Sequence, residues 1–225
     1  MRSAVLLWDI DGTLIEHAPA KRDRHAHAVH LTLGVEADPI PPGIGKTDRQ
    51  IVTEIVEKHA APTADVVNAA LDHLDVITHE DLSTYPAIAI PGVRDVLAYL
   101  AEIGVSNRLL TGNTPKRAKA KVDSAGLGGF FDIDGGFYGR AHATRMELVA
   151  EAVRTLDPQL LPSTIIVGDT VLDITAARSG NLKVIAVATG AVSITNLKLH
   201  EPDVLLADYA IGPIGFSERV TALLS

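Results

Sequence analysis

The chain of 225 residues contains no cysteine, which excludes disulfides, thiolate nucleophiles and thiolate metal sites together and leaves oxygen ligands for any hard cation. Aromatic residues are scarce, at one Trp, four Tyr and four Phe, so the core must be built from Val, Ile, Leu and Ala. That balance suits strands alternating with helices and argues against an all-β binding module. Positive charge is in deficit: 20 Lys and Arg face 28 Asp and Glu, a net charge of −8, which disfavours a nucleic-acid partner. No apolar run approaches ~18 residues, so no membrane span is expected. Residues 4–8 are too short for the apolar region of a signal peptide, and the expectation is a soluble protein of the cytoplasm.

What is present is a repeated event. Ala4-Val5-Leu6-Leu7-Trp8 is continuously apolar and stops at Asp9-Ile10-Asp11-Gly12-Thr13, as a strand buried on both faces would. Arg108-Leu109-Leu110 stops likewise at Thr111-Gly112-Asn113, and Thr164-Ile165-Ile166-Val167 at Gly168-Asp169-Thr170. Val184–Val187 and Val204–Leu206 read as two further strands. Helical spacing of Val93, Val96, Leu97, Leu100 and Ile103, and of Met146, Val149, Ala152, Val153 and Leu156, fills the intervals. The alternation predicts an α/β fold with a doubly wound parallel sheet, and the polar loops would meet beyond the carboxyl ends of the strands.

Residues 16–86 break the alternation. They show helical patterns near 48–59 and 64–82 and no convincing strand, so they are expected to form an inserted helical domain, with 1–15 and 87–225 forming the α/β core. Pro39, Pro41, Pro42 and Gly43 mark a loop within it.

Asp9 and Asp11, two apart in extended chain, can project their carboxylates to one side, an arrangement that a divalent cation or a shared proton would relieve. Asp169 and Asp173 supply a second acidic pair at the start of an expected helix, where a helix-cap role for Asp169 competes with a ligand role. Mg²⁺ suits such oxygen donors: Asp9, a carbonyl near Asp11, and Asp169.

The order Asp9-Ile10-Asp11-Gly12-Thr13-Leu14, a strand ending at Thr111, then Gly168-Asp169 with Asp173, resembles the haloacid dehalogenase superfamily, and the insertion resembles the first-type helical cap of that superfamily. The resemblance implies a Rossmann-like core and a Mg²⁺-dependent phosphatase acting on a small phosphate ester, akin to phosphoglycolate phosphatases. It implies Asp9 as nucleophile forming an aspartyl-phosphate, Asp11 as acid/base, and Thr111 as the hydroxyl holding a phosphoryl oxygen. It also implies Gly112 and Asn113 at the substrate, and Asp169 with Asp173, beside Asp9 and Asp11, at the metal. A turn or cap role competes for Thr111.

The superfamily usually places a Lys upstream of its last acidic motif, and here the pattern departs. Arg145, at the start of the helix before Asp169, is the expected replacement. Lys116, Lys119 and Lys121 are rivals that read more simply as a solvated helix face. In Gly45-Lys46-Thr47-Asp48-Arg49-Gln50, Arg49 is the foremost candidate for substrate contact, against a plain Thr47/Gln50 capping box. His25, His27 and His30, beside Arg22 and Arg24, read as surface histidines, and Gly43-Ile44-Gly45 and Gly126-Leu127-Gly128-Gly129 as turns. A phosphomutase would use the same Asp pair. A dehalogenase, which typically lacks the second Asp, and a phospho-acceptor signalling module are the remaining alternatives.

Overall fold

The structure, a computed structural model, describes residues 4–16, 23–41 and 43–225. Met1-Arg2-Ser3, Arg22 and Pro42 lie outside the described residues, as does the rest of 17–22. Strands β1 (Val5–Trp8), β2 (Ser106–Thr111), β3 (Asp132–Tyr138), β4 (Thr164–Gly168), β5 (Lys183–Val187) and β6 (Val204–Leu206) form one sheet in the order β3-β2-β1-β4-β5-β6, all parallel. The order reverses about β1, which pairs with both β2 and β4, so the crevice for a ligand opens above its carboxyl end.

Alternate residues of β1 serve opposite faces of the sheet, as the two-residue period of a strand requires. Leu6 and Trp8 join the cluster made with α4 (Val93–Glu102), α5 (Pro115–Ser124) and α9 (Gly212–Leu224). Val5 and Leu7 join the cluster made with α6 (Arg145–Thr155), α7 (Val171–Ser179) and α8 (Ile194–Leu199). Trp8 stacks on Phe216 with ring centroids 5.7 Å apart, and its indole N–H donates to Asn107 Oδ1 at 2.9 Å, so the sole Trp is buried without an orphaned donor.

The expected strands are all present, but β3 is an addition to them. Its sequence, Asp-Ile-Asp-Gly-Gly-Phe-Tyr, carries two acids and two glycines, a composition that disfavours strand. It survives because it is an edge strand, half exposed and joined to β2 through a register shift, where pairing with β2 overrides propensity.

Residues 23–86 hold α1 (Arg24–Leu33), α2 (Asp48–Val56) and α3 (Ala64–Thr84), with no strand among the described residues. Asp23, Thr47 and Thr63 accept the first-turn N–H groups of these helices, and Gly34, at φ +69°, closes α1. Their apolar faces meet in a separate cluster that includes Val29, Val52, Ile55, Leu71 and Leu74. The N-terminus of α2 lands on the loop after β2, where the Asp48 N–H donates to the Gly112 carbonyl at 2.7 Å. A Cβ at Gly112 would stand 2.4 Å from the Lys46 carbonyl oxygen, so this approach requires glycine.

Candidate active site

The three loops expected to meet at the carboxyl edge do so. Asp9 follows β1 and is anchored by its N–H to the Val167 carbonyl of β4 at 2.9 Å. The carboxylates of Asp9, Asp169 and Asp173 are all buried, and one oxygen from each lies within 4.8 Å of the others. Thr13 Oγ1 donates to Asp169 Oδ1 at 2.9 Å, while Tyr209 donates its hydroxyl proton to the Thr13 carbonyl at 2.9 Å, so the turn after β1 is tied to the segment between β6 and α9 as well as to Asp169.

Asp169 does not cap α7. Thr170 does, in a reciprocal box: its Oγ1 accepts from Asp173 N–H, and Asp173 Oδ2 accepts from the Thr170 N–H at 2.9 Å. This frees the Asp169 carboxylate to face the cluster. Gly12 and Gly190 leave the space it occupies; a Cβ at Gly190 would lie 1.7 Å from Asp169 Oδ2, and one at Gly12, whose φ is +84°, 2.4 Å from the same atom.

Arg145 sits where the direction of α6 was expected to place it, at the helix N-terminus and 2% exposed. Its guanidinium reaches Asp9 Oδ1 at 3.1 Å, pairs with Asp173, and donates to the Leu110 carbonyl at 3.1 Å. Burial would lower its pKa, but Asp173 and Asp9 outweigh that and raise it, so the charge is permanent. Even so, burial pushes Asp9 up to about 6, with Arg145 opposing and Asp173 and Asp11 adding to the rise. Asp169 is pushed up to about 8 by burial and then by Asp9 and Asp173. One guanidinium does not neutralise three clustered carboxylates.

Asp11 meets the opposite environment. Lys121 Nζ donates to its two oxygens at 2.7 and 2.6 Å, and Asn113 Nδ2 donates to Oδ2 at 2.8 Å. Burial acts to raise the pKa, yet the Lys121 charge and these hydrogen bonds prevail and lower it to about 2. Thr111 is fully buried; its Oγ1 accepts from Asn113 Nδ2 at 2.9 Å, and the cap of α5 is Thr114 instead. Gly112 and Asn113 line the same cavity, of about 310 Å³, as Asp9, Asp11, Thr111 and Arg145.

Several residues stand elsewhere than expected. Lys121 is no solvated side chain: at 6% exposed it shares the apolar stripe of α5 with Ala118 and Val122, a placement that the i, i+3, i+4 spacing of those residues could have signalled. Lys116 and Lys119 are exposed, and Lys119 pairs with Asp123. Arg49 turns away from the cavity; its Nε donates to the Arg140 carbonyl at 2.5 Å and a terminal nitrogen to Asn68 Oδ1 at 2.6 Å, a pairing with distant chain that local sequence does not reveal. Lys46 lines the cavity instead. His25 is not a surface histidine. Its Nε2 lies 2.9 Å from Asp48 Oδ1 at the cavity wall, because Asp48 also holds Arg117 and the Thr114 N–H (2.8 Å), joining α1, α2 and α5. The Arg117 guanidinium and His25 hold Asp48 well below the usual carboxylate range despite its burial.

The donor set of Asp9 and Asp169, all oxygen and short of positive charge, fits a hard divalent cation. Asp173 spends its oxygens on Thr170 and Arg145, which suits a supporting position.

Comparison with known proteins agrees with this architecture. The chain is 27% identical over 222 residues to the probable phosphatase IndB of Dickeya dadantii (strain 3937), covering 92% of this chain and 90% of that protein. It is 26% identical over 192 residues to a phosphoglycolate phosphatase of Rhodobacter capsulatus, covering 82% and 84%. Among solved structures, CbbY from Rhodobacter sphaeroides in complex with phosphate superposes with a TM-score of 0.67 at 18% identity, over 96% of this chain and 99% of that one, a likeness of fold. A family match spans residues 4–181 and so takes in every acidic loop described above; by it the chain belongs to the haloacid dehalogenase-like hydrolases.

Proposed function

We propose that this hydrolase is a Mg²⁺-dependent phosphatase that cleaves a small phosphomonoester through a phosphoryl group carried on Asp9. The observation that carries this reading is the division of labour between two carboxylates two residues apart: Asp9 faces Arg145 and Asp169, while Asp11 is held aside by Lys121 and Asn113. This division supports reading Asp9 as the attacking carboxylate and Asp11 as the proton-transfer group.

An Asp9 oxygen attacks phosphorus, the bond from phosphorus to the leaving oxygen breaks, and that oxygen takes its proton from Asp11, which must first be protonated as the phosphoryl charge of the bound ester competes for Lys121, the group that holds Asp11 ionised in the empty site. Water then attacks the phosphoryl group and gives a proton to Asp11, which releases phosphate and restores Asp9. Arg145 and the Thr111 hydroxyl are assigned to the phosphoryl oxygens, with Gly112 and Asn113 flanking them. Asp9 and Asp169, with a carbonyl near Asp11 and with Asp173 in support, would hold Mg²⁺, which when bound offsets carboxylate and phosphoryl charge. Residues 16–86 are assigned as a cap over the cavity, whose volume of about 310 Å³ is at the small end for ligand sites and matches a small ester.

The test is phosphate release from an aryl phosphate. Turnover with Mg²⁺ that stops on chelation and drops at least about a thousandfold in Asp9→Asn is the expected result. Turnover unaffected by either change would overturn the proposal.

A further inference from the structure

The loop between β3 and α6, residues 139–144, belongs to the core, yet beyond Gly139 it is gripped by the residues assigned as the cap. Thr47 Oγ1 donates to the His142 carbonyl at 2.9 Å, and Arg49 Nε donates to the Arg140 carbonyl at 2.5 Å. The Arg140 guanidinium in turn lies 2.9 Å from Asp72 Oδ1 and 3.6 Å from Asp75 Oδ2, both on α3. Among the described residues Asp75 Oδ2 is buried without a hydrogen bond, which leaves Arg140 to offset its charge. A Cβ at Gly139 would stand 2.9 Å from Thr47 Cβ, so the two chains also touch through their backbones here.

This grip has two physical properties. First, it is polar: the cap buries its apolar side chains in a cluster of its own, separate from the two that flank the sheet, and a polar junction between packed units is one that can part. Second, it is partly exposed. The side chains of Arg140 and Asp72 are 33% and 59% accessible, so the pair forms and breaks at little cost, unlike the buried pair of Asp48 and Arg117. Arg49 and Arg140 stand outside the cavity and do not meet an ester there. They act on what they join: the wall that bears Lys46 and Asp48, and the loop that ends at Thr144, the cap residue of α6, one position before Arg145.

We infer that Arg140 and Arg49 are positioning residues that clasp the cap to the β3–α6 loop, holding the cavity closed over Asp9 during reaction and parting when ester and phosphate exchange. The inference rests on the phosphatase reading and adds to it the contact that governs closure. Asp9 and Arg145 are buried, so exchange at them requires a wall that moves. A weaker clasp lowers the closed fraction of the complex. While most of the complex still closes, that raises KM and spares kcat, by one factor for every ester.

The experiment uses the full chain, Arg140→Gln, and the charge swap Asp72→Arg with Arg140→Asp, assayed on an aryl phosphate and on glycerol phosphate with Mg²⁺. Amide hydrogen exchange of the metal-free proteins is followed at Asp48, whose N–H donates to the Gly112 carbonyl across the same junction, and at β1. Arg140→Gln should raise KM by about three- to tenfold for both esters with kcat held. It should also speed exchange at Asp48 while β1 keeps its rates, and the swap should restore both properties. An unchanged KM, a rise confined to one ester, equal acceleration at β1, or a swap without rescue would overturn the inference. A chain that cleaves neither ester, yet exchanges faster at Asp48 alone in Arg140→Gln, would count against the phosphatase reading and leave the clasp standing.

Discussion

Asp9 and Asp11 share a loop and a chemistry of side chain, yet burial beside other carboxylates raises the first to about 6, whereas Lys121 and its hydrogen bonds lower the second to about 2. Asp169, at about 8, lies further in the direction of Asp9. The consequence for stability has a definite sign. A carboxylate whose pKa is higher in the folded than in the unfolded chain binds protons preferentially when folded, so Asp9 and Asp169 favour the metal-free fold at low pH. That support is lost as pH rises from about 4 towards about 8. Asp11 acts oppositely, its support being full above about 4 and lost as pH falls towards 2. Melting of the metal-free protein between about pH 5 and 8 should therefore show a decline in Tm that is shallower in Asp169→Asn, and Mg²⁺ should raise Tm more at pH 8 than at pH 5. A Tm that rises equally in both proteins over this range would refute the assignment. At this scale the acidic residues and Arg145 were legible because each follows a buried strand or opens a helix. Arg49 and His25 were not, because their partners, Arg140 and Asn68, and Asp48, lie far away in sequence; the burial of Lys121 was signalled by its spacing with Ala118 and Val122, but its pairing with distant Asp11 was not.

Among the elements, α2 and α5 illustrate what local pattern conveys and what it omits. Their extents follow from cap residues, Thr47 and Thr114, and from apolar spacing. Their joining does not, since it depends on Asp48 and Arg117, each of which alone reads as a solvated charge. In the fold both are nearly inaccessible, and Arg117 also donates through Nε to Thr78 of α3 at 2.8 Å. Removing one partner leaves a buried charge without its match, so Asp48→Ala should cost about 3–5 kcal/mol in denaturant unfolding. Asp48→Ala combined with Arg117→Ala should cost less than the sum of the two single changes. Additive costs would show that the pair is not coupled. Strand β3 was missed for a related reason: its stability comes from pairing with β2 and not from its own residues.

For the molecule as a whole, a net charge of −8 would repel a phosphate ester were it not for cations gathered in one cavity. The sheet order explains how that is achieved. Because β1 lies between β2 and β4, the Asp9, Thr111 and Asp169 loops emerge side by side, and α6, running back along the sheet, delivers Arg145 to the same edge. Phe216 of α9 stacks on Trp8 behind that edge, and Tyr209, in the segment before α9, holds the Thr13 carbonyl, so the two together support the Asp9 loop from beneath. Phe216→Ala should lower stability by about 3–5 kcal/mol, measured by chemical unfolding, and a cost near zero would remove this support from the account. The central claim is that Asp9 carries the phosphoryl group while Asp11 moves protons. It is tested most directly by mixing Asp11→Asn with an aryl phosphate and Mg²⁺, quenching, and mapping phosphorylation by mass spectrometry. The aryl leaving group needs little help from an acid, and hydrolysis of the intermediate lacks its base, so one phosphoryl group should accumulate on the peptide containing Asp9 and be absent when Asp9→Asn is added. A phosphoryl group on another residue, or phosphate release with no adduct on Asp9 at any quench time, would contradict it.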